Sequence, residues 1–179
     1  LSIALPGVAS SKVIALVFDD SGSMLNQDGR LGYASYSLQT IRALLPKTDT
    51  LNVFYLNQPD PLKLGTGSPA SEVRSIRSRG RAKNGQGTPY SAVPLAVESL
   101  QQSTDPDRWL VVVTDGAFAR PTLPANMNEH VRAVKAAMPD LKIVFLRIGG
   151  KDDDTSNQDV ADFSMVSEPW KSLAGAEIV

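Results

Sequence analysis

Two apolar segments of this chain each end at an acidic turn. Residues 13–18 (VIALVF) precede Asp19, and residues 109–113 (WLVVV) precede Thr114 and Asp115. Unbroken runs rich in Val and Ile are typical of strands buried on both faces, as in parallel sheets covered by helices. Ligands of such sheets bind outside the carboxyl ends of the strands, so the two acidic turns are expected to meet if their strands are neighbours.

Helical patterns alternate with these strands. Further strands are predicted at 51–56 and 141–148, and a loop rich in Pro, Gly and Ser spans 57–71. Helices are predicted over 31–45, 89–102 and 127–138, and over a short segment at 159–166. Thr88 is the predicted N-cap of the second helix, and Pro94 is expected to bend that helix or delay its start. Asn126 is the predicted N-cap of the third helix. This alternation indicates a doubly wound, Rossmann-like α/β sheet that is mostly parallel, with helices on both faces.

The composition excludes several classes of protein. The chain has 179 residues, 42% of them hydrophobic, a formal net charge of −1 and no cysteine. A near-neutral chain lacks the general basic footprint of a nucleic-acid-binding or membrane-surface protein, so no nucleic-acid partner is expected. The absence of cysteine excludes thiol catalysis, disulfides and zinc sites built on thiolates. No apolar run approaches the roughly 20 residues that span a bilayer, so no transmembrane segment is expected in this chain.

We expect one domain over residues 1–179, with its core at about residues 12–149 and a less regular tail at 150–179. The chain begins at Leu1 and its first ten residues lack a basic leader, which predicts a piece of a larger protein. Because the chain has neither cysteine nor a glycosylation sequon, a bacterial cytoplasmic origin is slightly favoured over the cell surface or periplasm. The compartment is otherwise open.

Five oxygen-bearing residues stand at the predicted strand ends and in the loop before the second long helix. They are Asp19, Ser21, Ser23, Thr88 and Asp115. Carboxylates and hydroxyls without His or Cys select a hard cation, Mg²⁺ first and then Mn²⁺ or Ca²⁺. If the two carboxylates hold waters and orient the hydroxyls, the cation keeps positive charge for an acidic group of a partner.

The segments Asp-x-Ser-Gly-Ser at residues 19–23, Gly-Thr-Pro at 87–89 and Thr-Asp-Gly at 114–116 resemble the metal-ion-dependent adhesion site of von Willebrand factor A-type (VWA) domains. The resemblance covers about residues 12–149 and implies a strand-helix-strand-strand-helix-helix-strand-helix-strand layout with one antiparallel edge strand. It also implies that Ser21, Ser23 and Thr88 are direct ligands and that Asp19 and Asp115 act largely through water.

Several features have simpler interpretations beside functional ones. The motif at 19–23 could be only a capped turn, and Asp20, a departure from the family pattern, is expected to face solvent unless it raises metal affinity. The basic run formed by Arg74, Arg77, Arg79, Arg81 and Lys83 is either a solvated face or a surface that steers an acidic partner. Asp152–Asp154 is expected to be an exposed loop. The string at 65–70 is interpreted as a chance match to a dinucleotide fingerprint. His130 is expected to be a surface or hydrogen-bonded helix residue.

Three functions follow from this site. The first is a non-enzymatic module that binds a partner carboxylate through Mg²⁺. The second is an intracellular assembly module that docks onto an ATPase or another multidomain complex through the same site. The third, a Mg²⁺-dependent phosphoryl-transfer enzyme, is weaker because an aspartyl mechanism uses carboxylates two positions apart, and Ser21 stands where the second is needed.

Overall fold

A computed structural model describes residues 11–26, 29–79, 87–116, 118–148 and 157–179. The strands are β1 (Lys12–Phe18), β2 (Thr50–Tyr55), β3 (Leu62–Leu64), β4 (Asp107–Thr114), β5 (Lys142–Arg147) and β6 (Glu177–Ile178). The helices are α1 (Gly22–Asn26), α2 (Arg30–Leu44), α3 (Pro69–Arg79), α4 (Ala92–Gln101), α5 (Met127–Ala137) and α6 (Asn157–Ala174).

The strands form one sheet in the order β3-β2-β1-β4-β5-β6. All neighbouring pairs are parallel except β2 and β3, which are antiparallel at the edge of the sheet. Two hydrophobic clusters lie on the two sides of the sheet, one containing residues of α2 and α3 and the other residues of α4, α5 and α6. The predicted α/β fold, including its antiparallel edge strand, is confirmed.

The apolar runs became strands because both of their faces are covered. In β1, Ala15, Leu16 and Val17 are at most 1% exposed, and in β4 Leu110 and Val112 are fully buried. The registers of β1 with β4 set Phe18 opposite Val113, so both strands end at the same edge of the sheet. This alignment brings the two acidic turns together.

Of three local predictions, one needs correction. Helix α4 begins at Ala92 with Ser91 as its N-cap residue, so Thr88 is not the N-cap. Pro94 is the third residue of α4, where the missing amide costs no helical hydrogen bond, and its effect is the delayed start that we considered. Asn126 does cap α5, since its side chain accepts a hydrogen bond from the amide of Glu129 at 3.1 Å.

The tail is more regular than the sequence indicated. Helix α6 has 18 residues, against the short helix predicted at 159–166, and β6 extends the sheet by pairing with β5. Strand β6 has only two residues, too few for a periodic pattern, and Pro169 lies inside α6. In the part of the chain that the structure describes, no helix is long and apolar enough to cross a membrane.

Candidate metal centre

The centre lies where β1 and β4 end side by side. The backbone amide of Asp19 donates to the carbonyl oxygen of Val113 at 2.9 Å, which continues the pairing of the two strands one residue further. Asp115 directly follows Thr114, the last residue of β4. The carboxylates of Asp19 and Asp115 are both buried although no apolar pattern requires it. Their burial therefore follows from their position at the ends of β1 and β4.

Four of the five predicted residues form one chain of hydrogen bonds. The amide of Ser21 donates to Asp19 Oδ1 at 2.9 Å. The hydroxyl oxygens of Ser21 and Ser23 are 3.0 Å apart, and the hydroxyl of Ser23 donates to Asp115 Oδ1 at 3.1 Å. Residues separated by more than ninety positions are therefore joined through two serine side chains.

Thr114 holds the second oxygen of Asp19. Its hydroxyl donates to Asp19 Oδ2 at 2.6 Å and accepts from the amide of Gly116 at 3.2 Å. Burial raises the pKa of Asp19, the hydrogen bonds from Ser21 and Thr114 lower it, and the negative charge of Asp115 raises it further, with a net increase. A nearby positive charge would favour the ionised carboxylate.

Two of the proposed donors have a spacing that a hard cation of octahedral geometry can accept. Neighbouring ligands of Mg²⁺, each at 2.0–2.1 Å from the ion, lie about 2.9 Å apart. The separation of 3.0 Å between the hydroxyl oxygens of Ser21 and Ser23 matches that spacing. Within the described ranges no three His, Asp or Glu side chains converge as a metal-binding group, so a cation here would depend on the hydroxyls.

Among the described residues, no hydrogen bond joins the Thr88 hydroxyl to the other four predicted residues. Thr88 is half-buried in the segment before α4, and its carbonyl oxygen accepts from the amide of Ala119 at 2.8 Å. The preceding Gly87 carbonyl accepts from Asn57 Nδ2 at 2.9 Å, and the same amide group donates to Asp20 Oδ1. Asn57 thus links the Thr88 segment to the β1 turn.

The sequence predicts that Asp20 faces solvent, but in the structure Asp20 is buried. It is 2% exposed, and its Oδ1 accepts hydrogen bonds from the amide and the side chain of Asn57 at 2.9 and 3.0 Å. Its Oδ2 accepts from Gln58 Nε2 at 2.9 Å. Because these donors bond both oxygens, Asp20 joins the ends of β1 and β2.

A guanidinium group borders the centre on the side of α2. Arg30 Nη1 lies 3.2 Å from Asp115 Oδ2, and the two side chains are 10% and 4% exposed. The preceding Gly29 has φ of 73°, a left-handed conformation that turns the chain into α2. Asp115 therefore accepts from Ser23 through one oxygen and from Arg30 through the other.

The basic run divides into residues of different kinds. Arg74 and Arg77 are exposed on α3. Arg79, at the end of α3, donates to the carbonyl oxygen of Asp60 at 2.8 Å and to Gln58 Oε1 at 3.2 Å, so it is bound to the loop that holds Asp20. Arg81 and Lys83 lie outside the described residues, as does Asp152–Asp154.

Two other sequence features have structural roles. The string at 65–70 covers the loop before α3 and the first two residues of that helix, and Glu72 Oε1 accepts from the amides of Gly65 and Gly67, consistent with a chance match. His130 lies on α5 as predicted, but it is half-buried, with its ring edge-to-face against Tyr90 and Trp170. It is thus a packing residue of the core, neither a surface residue nor a hydrogen-bonded one at Nε2.

Sequence reasoning missed four residues of the centre: Thr114 as a donor to Asp19, Arg30, Asn57 and Gln58. Asn57 and Gln58 could have been found, because they follow β2 and the carboxyl ends of parallel strands share one edge. Thr114 was noted only as part of its motif. Arg30 carries no local signal, since its contact with Asp115 joins positions 85 residues apart.

Solved structures share this architecture. A von Willebrand factor type A protein from Catenulispora acidiphila is 16% identical with a TM-score of 0.65, over 95% of this chain and 38% of that chain. A mutant of the PilB minor pilin from Streptococcus sanguinis is 14% identical with a TM-score of 0.63, over 97% of this chain and 57% of that one. BatB from Bacteroides thetaiotaomicron is 18% identical with a TM-score of 0.57, over 96% and 90%.

No protein-family model matches the chain, and no curated protein sequence matches it either. At identities below 20% the likeness concerns the arrangement of the elements. It covers nearly the whole chain, including the tail that the motifs did not reach. The chain therefore has the fold of von Willebrand factor A-type domains.

Proposed function

We propose that this protein is a non-enzymatic interaction module that binds an acidic group of a partner protein through a divalent cation, Mg²⁺ first and Mn²⁺ or Ca²⁺ as alternatives. The observation that carries the proposal is the hydrogen-bonded chain from Asp19 through Ser21 and Ser23 to Asp115. A turn that needed only a cap would be satisfied by the Asp19–Ser21 bond alone. The link across to Asp115 gathers oxygens from two strand ends around one point.

Each residue has a distinct role in this proposal. Ser21, Ser23 and Thr88 supply hydroxyl oxygens as direct ligands, while Asp19 and Asp115 orient the serines and hold waters of the cation. When bound, the cation supplies a positive charge and an open coordination position for a carboxylate oxygen. Ser23 is exposed and Ser21 is 3% exposed, so the partner approaches from the side of Ser23.

The position of Asp20 supports binding over phosphoryl transfer. A transfer reaction through an aspartyl intermediate needs a second carboxylate as general acid and base near the first. Asp20 is the adjacent candidate, and both of its oxygens are occupied by Asn57 and Gln58. Hydrolysis of a phosphate ester that disappears in Asp19→Asn would contradict this conclusion.

Calorimetric titration with MgCl₂ tests the centre itself. Ser23→Ala removes a proposed ligand, and we expect Mg²⁺ affinity to fall at least about tenfold because even outer-sphere partners contribute that much. Ser78→Ala is the matched control, since Ser78 is also exposed but lies on α3 and bonds only its own helix, at the carbonyl oxygen of Ser75. Equal affinities in the two variants would contradict the proposed site.

Capture experiments test the partner. The immobilised domain is exposed to an extract of its host in MgCl₂ or in EDTA, with Asp19→Ala as the second control. We expect specific partners only with wild type in MgCl₂. A partner retained with unchanged affinity in EDTA would contradict cation-mediated binding, and the identity of a true partner separates an adhesion module from an intracellular assembly module.

We further propose that the basic run steers the partner. Arg74 and Arg77 are its exposed described members, and Arg79 places the end of α3 next to the loop that holds Asp20. Steering of this kind raises the association rate and weakens with salt. Arg74→Gln combined with Arg77→Gln is expected to lower the association rate at low salt, while an unchanged salt dependence would contradict steering.

A further inference from the structure

Arg30 lies in a place that its own helix disfavours. It is the first residue of α2, and α2 has no acidic residue in its first turn. A positive side chain at a helix N-terminus meets the positive end of the helix dipole, which is unfavourable. Arg30 is nonetheless 9% exposed and directed at the carboxylate of Asp115. Its placement is better explained by the centre than by the helix.

The contact gives the centre an internal positive charge. Arg30 Nη1 is 3.2 Å from Asp115 Oδ2, and the opposite oxygen of Asp115 accepts from Ser23. Asp115 is thus shared between a guanidinium and the hydroxyl proposed as a metal ligand. With Arg30 present, the set Asp19, Asp115 and Arg30 carries one negative charge less than the two carboxylates alone.

On the basis of the proposed function, we infer that Arg30 determines the balance between cation affinity and carboxylate affinity at this centre. Arg30 repels an incoming divalent cation and competes with it for Asp115, so it weakens cation binding. Once the cation is bound, the same charge leaves the centre more positive and strengthens the attraction for a partner carboxylate. Arg30 is therefore a positioning and specificity residue that opposes permanent trapping of the metal and favours the ternary complex.

The first test measures cation affinity without any partner. Arg30→Gln removes the charge and keeps an amide donor for Asp115, and calorimetric titration with MnCl₂ is expected to show about tenfold tighter binding, the effect of one unit charge a few ångströms from a divalent ion under near-aqueous screening. Arg30→Lys keeps the charge and is expected to stay within about twofold of wild type. Arg132→Gln, which removes an exposed arginine of α5, is the control for net charge and should leave the affinity unchanged.

The second test measures carboxylate affinity with acetate as the probe. Each protein is loaded with Mn²⁺, and the water-proton relaxation rate is followed while acetate is added, since acetate that displaces a bound water lowers this rate. We expect Arg30→Gln to need several-fold more acetate than wild type. Circular dichroism melting checks folding, and if Arg30→Gln does not fold, Arg30→Met replaces it as a neutral variant that keeps an apolar stem.

The outcomes separate this inference from the proposed function. If wild type binds no Mn²⁺, or binds it as Asp19→Ala does, the proposed centre fails. If wild type binds Mn²⁺ and Asp19→Ala does not, but the neutral Arg30 variant binds Mn²⁺ no more tightly than wild type, the inference about Arg30 is overturned and the centre stands. Tighter Mn²⁺ binding with unchanged acetate affinity would overturn the second half of the inference.

Discussion

Two adjacent carboxylates after β1 serve different purposes because different residues hold them. Thr114 donates to Asp19 from the end of β4, whereas Asn57 and Gln58 donate to Asp20 from the segment after β2. Asp19 thereby accepts from Ser21 at the turn after β1, and Asp20 accepts from the neighbouring loop. At the scale of single residues, the centre depends as much on these uncharged donors as on the acidic motif.

Thr114→Val tests the donor to Asp19. The substitution keeps the shape of the side chain but leaves a buried carboxylate oxygen without its hydroxyl donor, so we expect the free energy of unfolding to fall by about 1–3 kcal/mol. Urea denaturation measures the change. Thr40→Val is the control, because the hydroxyl of Thr40 is exposed and donates only to the carbonyl oxygen of Tyr36. Similar losses in both variants would contradict the role of Thr114.

At the scale of elements, Glu72 fastens the loop between β3 and α3. Its Oε1 accepts from the amides of Gly65 at 2.7 Å and Gly67 at 3.0 Å, and its Oε2 accepts from Arg42 Nε of α2 at 2.7 Å. Gly65 has φ of 113°, and a Cβ at Gly67 would lie 2.9 Å from the hydroxyl oxygen of Ser71. Gly65 is therefore required by the turn that Glu72 closes, and a side chain at position 67 would have to displace the Ser71 hydroxyl.

The hydrogen bonds of the Glu72 carboxylate predict that the stability of the fold depends on pH. Burial raises the pKa of Glu72, but the amides of Gly65 and Gly67 and the Arg42 guanidinium outweigh it, so the net shift is downward. A lowered folded-state pKa stabilises the fold at pH values above the ordinary glutamate pKa of about 4.3, and that contribution is lost as the pH falls through the folded-state value. Glu72→Gln is expected to lose about 1.5–3 kcal/mol at pH 7, and its difference from wild type should shrink in acid.

Urea denaturation of wild type and Glu72→Gln between pH 7 and pH 3 measures this difference. Glu98→Gln is the control, because Glu98 is exposed on α4 and bonds only Gln102 one turn later. A difference between wild type and Glu72→Gln that stays constant over the whole range would show that the carboxylate charge of Glu72 does not stabilise the loop.

At the scale of the whole molecule, the side of the sheet covered by α4, α5 and α6 is held together by aromatic side chains. The ring of His130 is 5.8 Å from those of Tyr90 and Trp170, and Trp170 Nε1 donates to the Tyr90 hydroxyl at 3.1 Å. Trp170 is fully buried and also packs against Phe145 of β5. These contacts attach α6 and the tail to the core.

The packing of His130 predicts a second loss of stability in acid, at a higher pH than the loss that Glu72 causes. Burial lowers the pKa of His130, so the folded protein favours the neutral ring. Its contribution is complete above the ordinary histidine pKa of about 6.5 and is lost as the pH falls from there through the folded-state value. His130 is the only histidine of the chain, so His130→Phe removes the histidine titration entirely. Thermal unfolding between pH 7.5 and 5 should show a smaller loss of stability in the variant, and parallel curves would contradict the prediction.

The sequence by itself determined the four long strands and the positions of the motif residues at the strand ends. The antiparallel edge strand was predicted only through the family resemblance. Apolar runs and turn motifs are local signals, and parallel strands necessarily end at one edge. Whether Asp19, Ser21, Ser23, Thr88 and Asp115 hold a cation stays a prediction. Tertiary structure alone decided the direction of Asp20, the start of α4, the length of α6, the pairing of β6 and the contact of Arg30 with Asp115. These features depend on which distant segments become neighbours, and in a single sequence no local pattern records a contact between positions 85 residues apart.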